Sequence, residues 1–257
     1  MNWIRERVLN REVVSGTWLN LGSCMTAEIA ARAGFDWVVL DIEHGAGDHE
    51  SLLHQLQAVS ATATVPLARV AWNELPRFKR VLDLGAAGVV VPYVTTPEEA
   101  RAAVAAVRYP PQGMRGVASM HRGCEFGEGF AEYMACANEQ VLTVCQVETE
   151  ATLGRVDEIA AVDGADVLFV GPMDLSWSMG IPQQYEHPRF LEALQRVAKA
   201  ARDAGKAAGI LLQRPEQIAN IVTTGFTFIG LGSDGGVVVK GMRELAGAFG
   251  PYRKGTA

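Results

Sequence analysis

Apolar residues along this chain fall into short runs, and most runs are apolar at consecutive rather than alternate positions. Val14–Asn20, Trp37–Glu43, Val65–Val70, Gly88–Val94, Val141–Glu148, Val167–Val170, Ala208–Leu212 and Phe226–Leu231 are the strand-like ones. Near-continuous Val, Ile and Leu is what a parallel strand shows when helices cover both of its faces. Helical stretches fill the gaps: Thr26–Ala33, Glu50–Ser60, Arg77–Leu84, Pro97–Val107, Thr152–Ala161, Pro188–Ala204, Pro215–Thr223 and Met242–Phe249. Pro97 suits a first helical turn, where its missing N–H costs nothing.

Strand and helix alternating eight times in 257 residues predicts a (β/α)8 barrel. A doubly wound open sheet is the competitor, but no Gly-x-Gly-x-x-Gly turn supports it. Nothing resembling a Ser/Gly or charged linker divides the chain, so residues 1–257 are expected to form one domain. Tyr109–Gln140 breaks the rhythm. It is rich in glycine and carries Arg115, His121 and Arg122, with Phe126, Phe130 and Tyr133 to order it. Loops of about thirty residues are usually functional or disordered.

The polar residues matter most where the apolar runs stop. Asp41-Ile42-Glu43-His44-Gly45 closes the second run, Gln146-Val147-Glu148 the fifth, and Gly171-Pro172-Met173-Asp174 the sixth. In a parallel barrel such ends converge on the face that builds active sites. Gln146 and Glu148, two apart, share one face of their strand. Glu148 and Asp174 together form a hard oxygen pair suited to Mg²⁺, Mn²⁺ or Co²⁺, unless both cap helices instead. His44 beside Asp41 and Glu43 reads either as a general base or as a structural histidine. Arg69 near the end of an apolar strand needs an anion, which is a substrate oxyanion or a neighbouring acid. Asp83 alone reads as a surface helix acid, and His121 is a weaker site candidate. Gly232-Ser233-Asp234-Gly235-Gly236 reads either as an anion-binding turn or as a plain tight turn.

Taken together these motifs resemble the HpcH/HpaI aldolase family. The likeness runs through Gly16-Thr17-Trp18, Asp41-x-Glu43-His44-Gly45, Pro66-x-x-Arg69 and Asp83-x-Gly85-Ala86-x-Gly88, then Val91-Pro92 and Tyr109-Pro110-Pro111-x-Gly113-x-Arg115-Gly116. It continues through Gln146-x-Glu148-Thr149, Gly171-Pro172-x-Asp174-Leu175-Ser176 and Gly232-Ser233-Asp234. The resemblance implies a (β/α)8 barrel of the phosphoenolpyruvate/pyruvate type, with the last helix exchanged between subunits of a hexamer built as a trimer of dimers. It also implies a class II aldolase that reversibly cleaves a 4-hydroxy-2-oxo acid into pyruvate, or a close 2-oxo acid, and an aldehyde. Glu148 and Asp174 match its metal ligands, Arg69 the arginine at the keto oxygen and His44 the base. Asp41, Glu43 and Asp83 match further catalytic positions. Gln146, Gly171, Pro172, Met173, Asp174 and Leu212 match the substrate pocket.

No lysine stands at these positions, which argues against Schiff-base chemistry. Lys79, Lys199, Lys206, Lys240 and Lys254 read as helix or terminal residues. The alternatives are a citrate-lyase-β-like enzyme acting on a CoA thioester, a 2-oxo acid decarboxylase, and a silent 2-oxo acid binder. The first would want a basic approach, for which only Arg115 and Arg122 are in view.

Net charge of −6, with no long basic run, makes nucleic acid an improbable partner. Cys24, Cys124, Cys136 and Cys145 form no Cys-x-x-Cys pair and fit a reducing compartment. With no secretory leader and no apolar run of spanning length, a cytoplasmic enzyme is expected.

Overall fold

A computed structural model describes residues 3–253. Met1, Asn2 and residues 254–257, with Lys254 among them, lie outside the described residues. Eight strands, β1 (Val14–Leu19), β2 (Trp37–Asp41), β3 (Val65–Arg69), β4 (Gly88–Val91), β5 (Leu142–Val147), β6 (Val167–Val170), β7 (Ala207–Leu212) and β8 (Phe228–Ser233), close into a barrel in sequence order. Every neighbouring pair is parallel, including β8 with β1. Around them run α1 (Arg5–Leu9), α2 (Cys24–Arg32), α3 (His49–Val59), α4 (Leu75–Asp83), α5 (Pro97–Val107) and α6 (Phe130–Gln140). They are followed by α7 (Glu150–Gly154), α8 (Val156–Ala160), α9 (Pro172–Ser178), α10 (Pro188–Asp203), α11 (Ile218–Thr224) and α12 (Asp234–Gly247). Among the described residues no helix is long and apolar enough to cross a membrane.

Side-chain parity divides the core in two. Trp37 and Val39 of β2, Val65 and Leu67 of β3, and Leu142 and Val144 of β5 point into the barrel. Val38, Leu40, Ala68, Cys145 and Val147 point outward against the helices. Each strand is thus buried on both faces, which is why the runs are apolar without alternation. The barrel interior is filled by aromatic rings: Trp37 stacks on Phe228 at 4.2 Å and meets Trp18 edge-on at 6.1 Å. Gly16 of β1 makes room for this, because a Cβ there would fall on the Trp37 indole. Ile4 and Val8 of α1 close the bottom of the same cluster.

The observed elements differ from the expected ones mostly at strand ends. β2 stops at Asp41, β4 at Val91 and β5 at Val147, so Glu43, Val94 and Glu148 stand just beyond the ladder. β8 begins at Phe228 rather than Phe226, because Phe226 donates its N–H to Ile221 and closes α11 over Gly225 at φ 110. The helix expected at Thr152–Ala161 breaks at Arg155 into α7 and α8. The last helix starts at Asp234 rather than Met242, since Ser233 caps it by accepting from the Gly236 N–H. The long connection is ordered: it holds a 3-10 turn at Arg122–Gly127 and the unforeseen α6, and Tyr109, Cys124, Tyr133 and Ala137 form its own small core.

Candidate active site

The inward parity that buries Trp37, Val39, Val65 and Leu67 delivers Asp41 and Arg69 to the barrel mouth. The register sets these two side by side as ladder partners. Arg69 grips Asp41 with two bonds, Nε to Oδ1 at 2.9 Å and Nη2 to Oδ2 at 2.6 Å. Its Nη1 lies 2.8 Å from Glu43 Oε2, and Trp18 faces the guanidinium at 5.8 Å. Asp41 also accepts the backbone N–H groups of Glu43 and His44, which folds the loop after β2 back over the mouth. His44 hangs from that loop with its side chain 68% exposed and Nε2 at 3.8 Å from Glu43 Oε1.

On β5 the same parity carries Gln146 and Glu148 inward, both almost fully buried. Gln146 Nε2 donates to Glu148 Oε1 at 2.7 Å, and the Tyr93 backbone N–H donates to Oε2 at 3.2 Å. Gly171 permits this packing, because a Cβ there would sit 2.9 Å from the Glu148 carboxylate. Asp174 follows in the first turn of α9. Neither acid caps a helix: Thr149 caps α7, and α9 has no side-chain cap. The structural reading of both carboxylates therefore loses its support.

Four carboxylates thus gather around one arginine. Burial pushes the Glu148 carboxyl up to about 7, and the charges of Asp174 and Glu43 add to this against the Tyr93 bond and Arg69. Burial raises Glu43 too, with Arg69 and His44 opposing. For Arg69, desolvation pulls downward, but the bond and charge of Asp41, with Glu43 and Glu148 behind it, outweigh it and hold the guanidinium charged. The site is over-supplied with negative charge and has orphaned acceptors: Gln146 Oε1 and Asn20 Oδ1 are buried without a partner. A divalent cation fits this surplus. Among the described residues no group of three or more His, Cys, Asp or Glu is arranged to hold a metal, so the protein would supply two carboxylates. Mg²⁺-type sites commonly bind through one or two carboxylates and complete their shell with water or substrate.

A cleft of about 380 Å³ opens over these groups. Asp41, His44, Arg69, Gln146, Glu148, Gly171, Pro172, Met173, Asp174 and Leu212 all line it.

The profile of the HpcH/HpaI aldolase/citrate lyase family matches residues 14–241. The chain belongs to that family. It is 41% identical to a pyruvate aldolase of Rhizobium etli over 91% of this chain and 92% of that one. With a 5-keto-4-deoxy-D-glucarate aldolase of Salmonella arizonae it shares 40% identity over 93% of each. A crystal structure of an HpcH/HpaI aldolase/citrate lyase family protein from Burkholderia cenocepacia superposes with a TM-score of 0.91. That pair is 35% identical, over 96% of this chain and 99% of the other.

Two residues that the family resemblance singled out stand outside the cleft lining. Glu43 lies behind it, beside Arg69 and His44. Asp83 ends α4, where its carboxylate takes Arg115 Nη2 at 2.7 Å and lies 3.9 Å from His121 Nε2. Within one chain the fold does not bring Asp83 or His121 to the mouth. Arg115 is 1% exposed, and Arg122 donates to the Leu84 carbonyl, so neither provides the basic approach that a CoA thioester would want. The Gly232–Gly236 segment is a structural joint: Asp234 accepts from the Asn20 N–H, the Gly235 N–H and the Thr26 hydroxyl. Sequence reading missed Asn20 and the arm formed by Tyr185, Glu186, Gln213, Arg214 and Gln217. Asn20 carried a signal, a polar residue just past an apolar strand. The others are loop residues of ordinary polarity and carried none.

Proposed function

We propose that this chain is a divalent-metal-dependent class II aldolase, a single-domain carbon–carbon lyase that splits a 4-hydroxy-2-oxo acid into pyruvate, or a close 2-oxo acid, and an aldehyde. The observation that carries this reading is Glu148, buried beside Asp174 with its carboxyl pushed up to about 7, while Arg69, the cation that opposes the rise, is already bonded twice to Asp41. Glu148 and Asp174 would hold the ion, which when bound supplies Lewis-acid polarisation of a 2-oxo acid.

The chain's own groups account for the remaining steps. Arg69 spends two of its five N–H donors on Asp41 and pairs by charge with Glu43, which fixes the guanidinium plane and leaves donors for a developing oxyanion. His44, exposed at the mouth, takes the proton of the substrate 4-hydroxyl, directly or through water. The C3–C4 bond then breaks, its electron pair passing into the enolate as the aldehyde leaves. Return of a proton to C3 yields the 2-oxo acid. Glu43, 3.8 Å from His44, steadies the charged imidazole.

Four free cysteines suit a cytoplasmic setting, and the naked helix α12 suits a homo-oligomer. The deciding experiment is pyruvate release from a racemic 4-hydroxy-2-oxo acid by chelator-stripped protein with Mg²⁺, Mn²⁺ or Co²⁺ restored. We expect metal-dependent turnover that Glu148→Gln and Asp174→Asn abolish. Metal-independent turnover in those variants would remove the two carboxylates from the mechanism.

A further inference from the structure

The cleft does not end at the carboxylates. Past Leu212 it runs outward between the loop before α10 and the start of α11, where Gln213, Arg214, Gln217 and Asn220 face Tyr185 and Glu186. Charge is distributed unevenly along it. The inner end holds Asp41, Glu148 and Asp174 against Arg69, whose Nε and Nη2 are committed to Asp41. Apart from Arg69, the outer end's Arg214 is the one arginine that lines the cleft among the described residues. Its ion-pair partner is Glu186 at 3.8 Å, with side chains 66% and 92% exposed. A pair that open is weak and yields readily to a better-placed anion. The Arg214 backbone is fixed independently, since its N–H donates to Gln217 Oε1 at 3.1 Å.

We propose that Arg214 is a specificity-determining residue that receives a carboxylate at the far end of the substrate's aldehyde half, so that the chain prefers 2-oxo acids carrying a second, terminal carboxylate. This rests on the aldolase reading above and narrows its substrate class. A planar guanidinium matches a carboxylate bidentately, and the amides of Gln213, Gln217 and Asn220 supply hydrogen bonds for hydroxyls along the way. Glu186 guards the arm as a competitor, because its carboxylate occupies Arg214 until an anionic substrate end displaces it.

The test compares two 4-hydroxy-2-oxo acids of equal length, one ending in a carboxylate and one in a hydroxymethyl group, by coupled pyruvate release. For Arg214→Gln we expect KM for the carboxylate-ended substrate to rise about 10- to 100-fold, the range of a lost charged hydrogen bond. Its kcat should hold, and the neutral-ended substrate should be unaffected. Glu186→Gln should lower KM for the carboxylate-ended substrate alone. Parallel losses on both substrates, or no change on either, would overturn the assignment. If wild type cleaves neither, the aldolase reading fails, and thermal shifts with a short dicarboxylate and its half-amide decide the arm by themselves. Stabilisation specific to the dicarboxylate and lost in Arg214→Gln upholds it, whereas equal shifts in both proteins refute it.

Discussion

Arg69 and His121 are both buried basic side chains, but their surroundings give them opposite expectations. Arg69 is held by two acids, and the geometry depends on its fork: Asp41 takes two nitrogens and Glu43 the third. Lysine cannot reproduce a bidentate grip. Arg69→Lys should therefore lower kcat about 100-fold, the scale of a lost oxyanion donor, while metal-induced stabilisation measured by melting temperature persists. Loss of both together would mean that Arg69 supports the fold of the mouth rather than the oxyanion. His121 has neither ring nitrogen bonded, and faces Asp83 of α4, Arg115 of the long connection and the Tyr133 ring of α6 at 5.6 Å. Burial pushes its pKa below 6.5, Arg115 pushes the same way, and Asp83 opposes. With the folded value depressed, the unfolded chain binds the proton first as pH falls. Stability contributed by neutral His121 is complete above about 6.5 and is lost below it, with a slope of at most about 1.4 kcal/mol per pH unit. His121→Phe, which fills the same space and leaves no unbonded nitrogen, should match or exceed wild-type stability at neutral pH and lose less between pH 6.5 and 5 in denaturant titrations. Equal acid sensitivity of the two proteins would show that the imidazole takes up its proton alike in the folded and unfolded states.

Among the elements, the strands carry the design, and β1 shows how little freedom they have. Gly16 and Gly230 flank the Trp37 ring from neighbouring strands, and a Cβ at Gly16 would overlap the indole. Gly16→Ala should cost about 1–3 kcal/mol, the usual price of overpacking, read as a lower midpoint with unchanged slope in urea unfolding. An unchanged midpoint would mean that the ring cluster shifts freely. The strands were legible because burial on both faces leaves continuous apolar runs, and the candidate site was legible because the second, fifth and sixth runs close in polar residues. Asp41, Arg69, Gln146 and Glu148 needed only parity to be placed. What stayed hidden depends on contacts between distant segments. Arg115 reads as a mouth cation in the sequence but is drawn under α4 by Asp83, 32 residues away, and by the Tyr133 hydroxyl. Helix α6 was masked by the glycines preceding it, and the start of α12 by Gly235, Gly236 and Gly241 within it. Arg214 could not be found by motif at all, since its meaning comes from sharing a cleft with Asp174.

At the scale of the whole molecule the imbalance lies in α12. The barrel's longer helices bury an apolar face, yet α12 has no buried residue. Val238, Met242 and Leu245 of α12, with Phe249 just past its end, fall at helical spacing and are 40%, 63%, 67% and 64% exposed. Such a stripe on a helix in water marks a contact surface. α12 touches β1 and β8 but turns this stripe away from them, since none of its residues is buried. Beside β1, α2 shows Met25 and Ile29, one helical turn apart and 65% and 66% exposed. The exchange that the family resemblance implies would let a second copy of the chain cover both surfaces, its α12 packing beside α2 while the first copy's α12 does the same in return. Such an exchange is self-complementary and closes with two-fold symmetry. Met242→Glu combined with Leu245→Asp places charge in the stripe without touching the barrel. We expect sedimentation to give a smaller species than wild type, with far-UV circular dichroism preserved. Ile29→Glu, on the receiving surface, should do the same from the other side. If the helix variant dissociates and the Ile29 variant does not, α12 docks elsewhere on its partner; if neither does, the stripe is not what joins the copies.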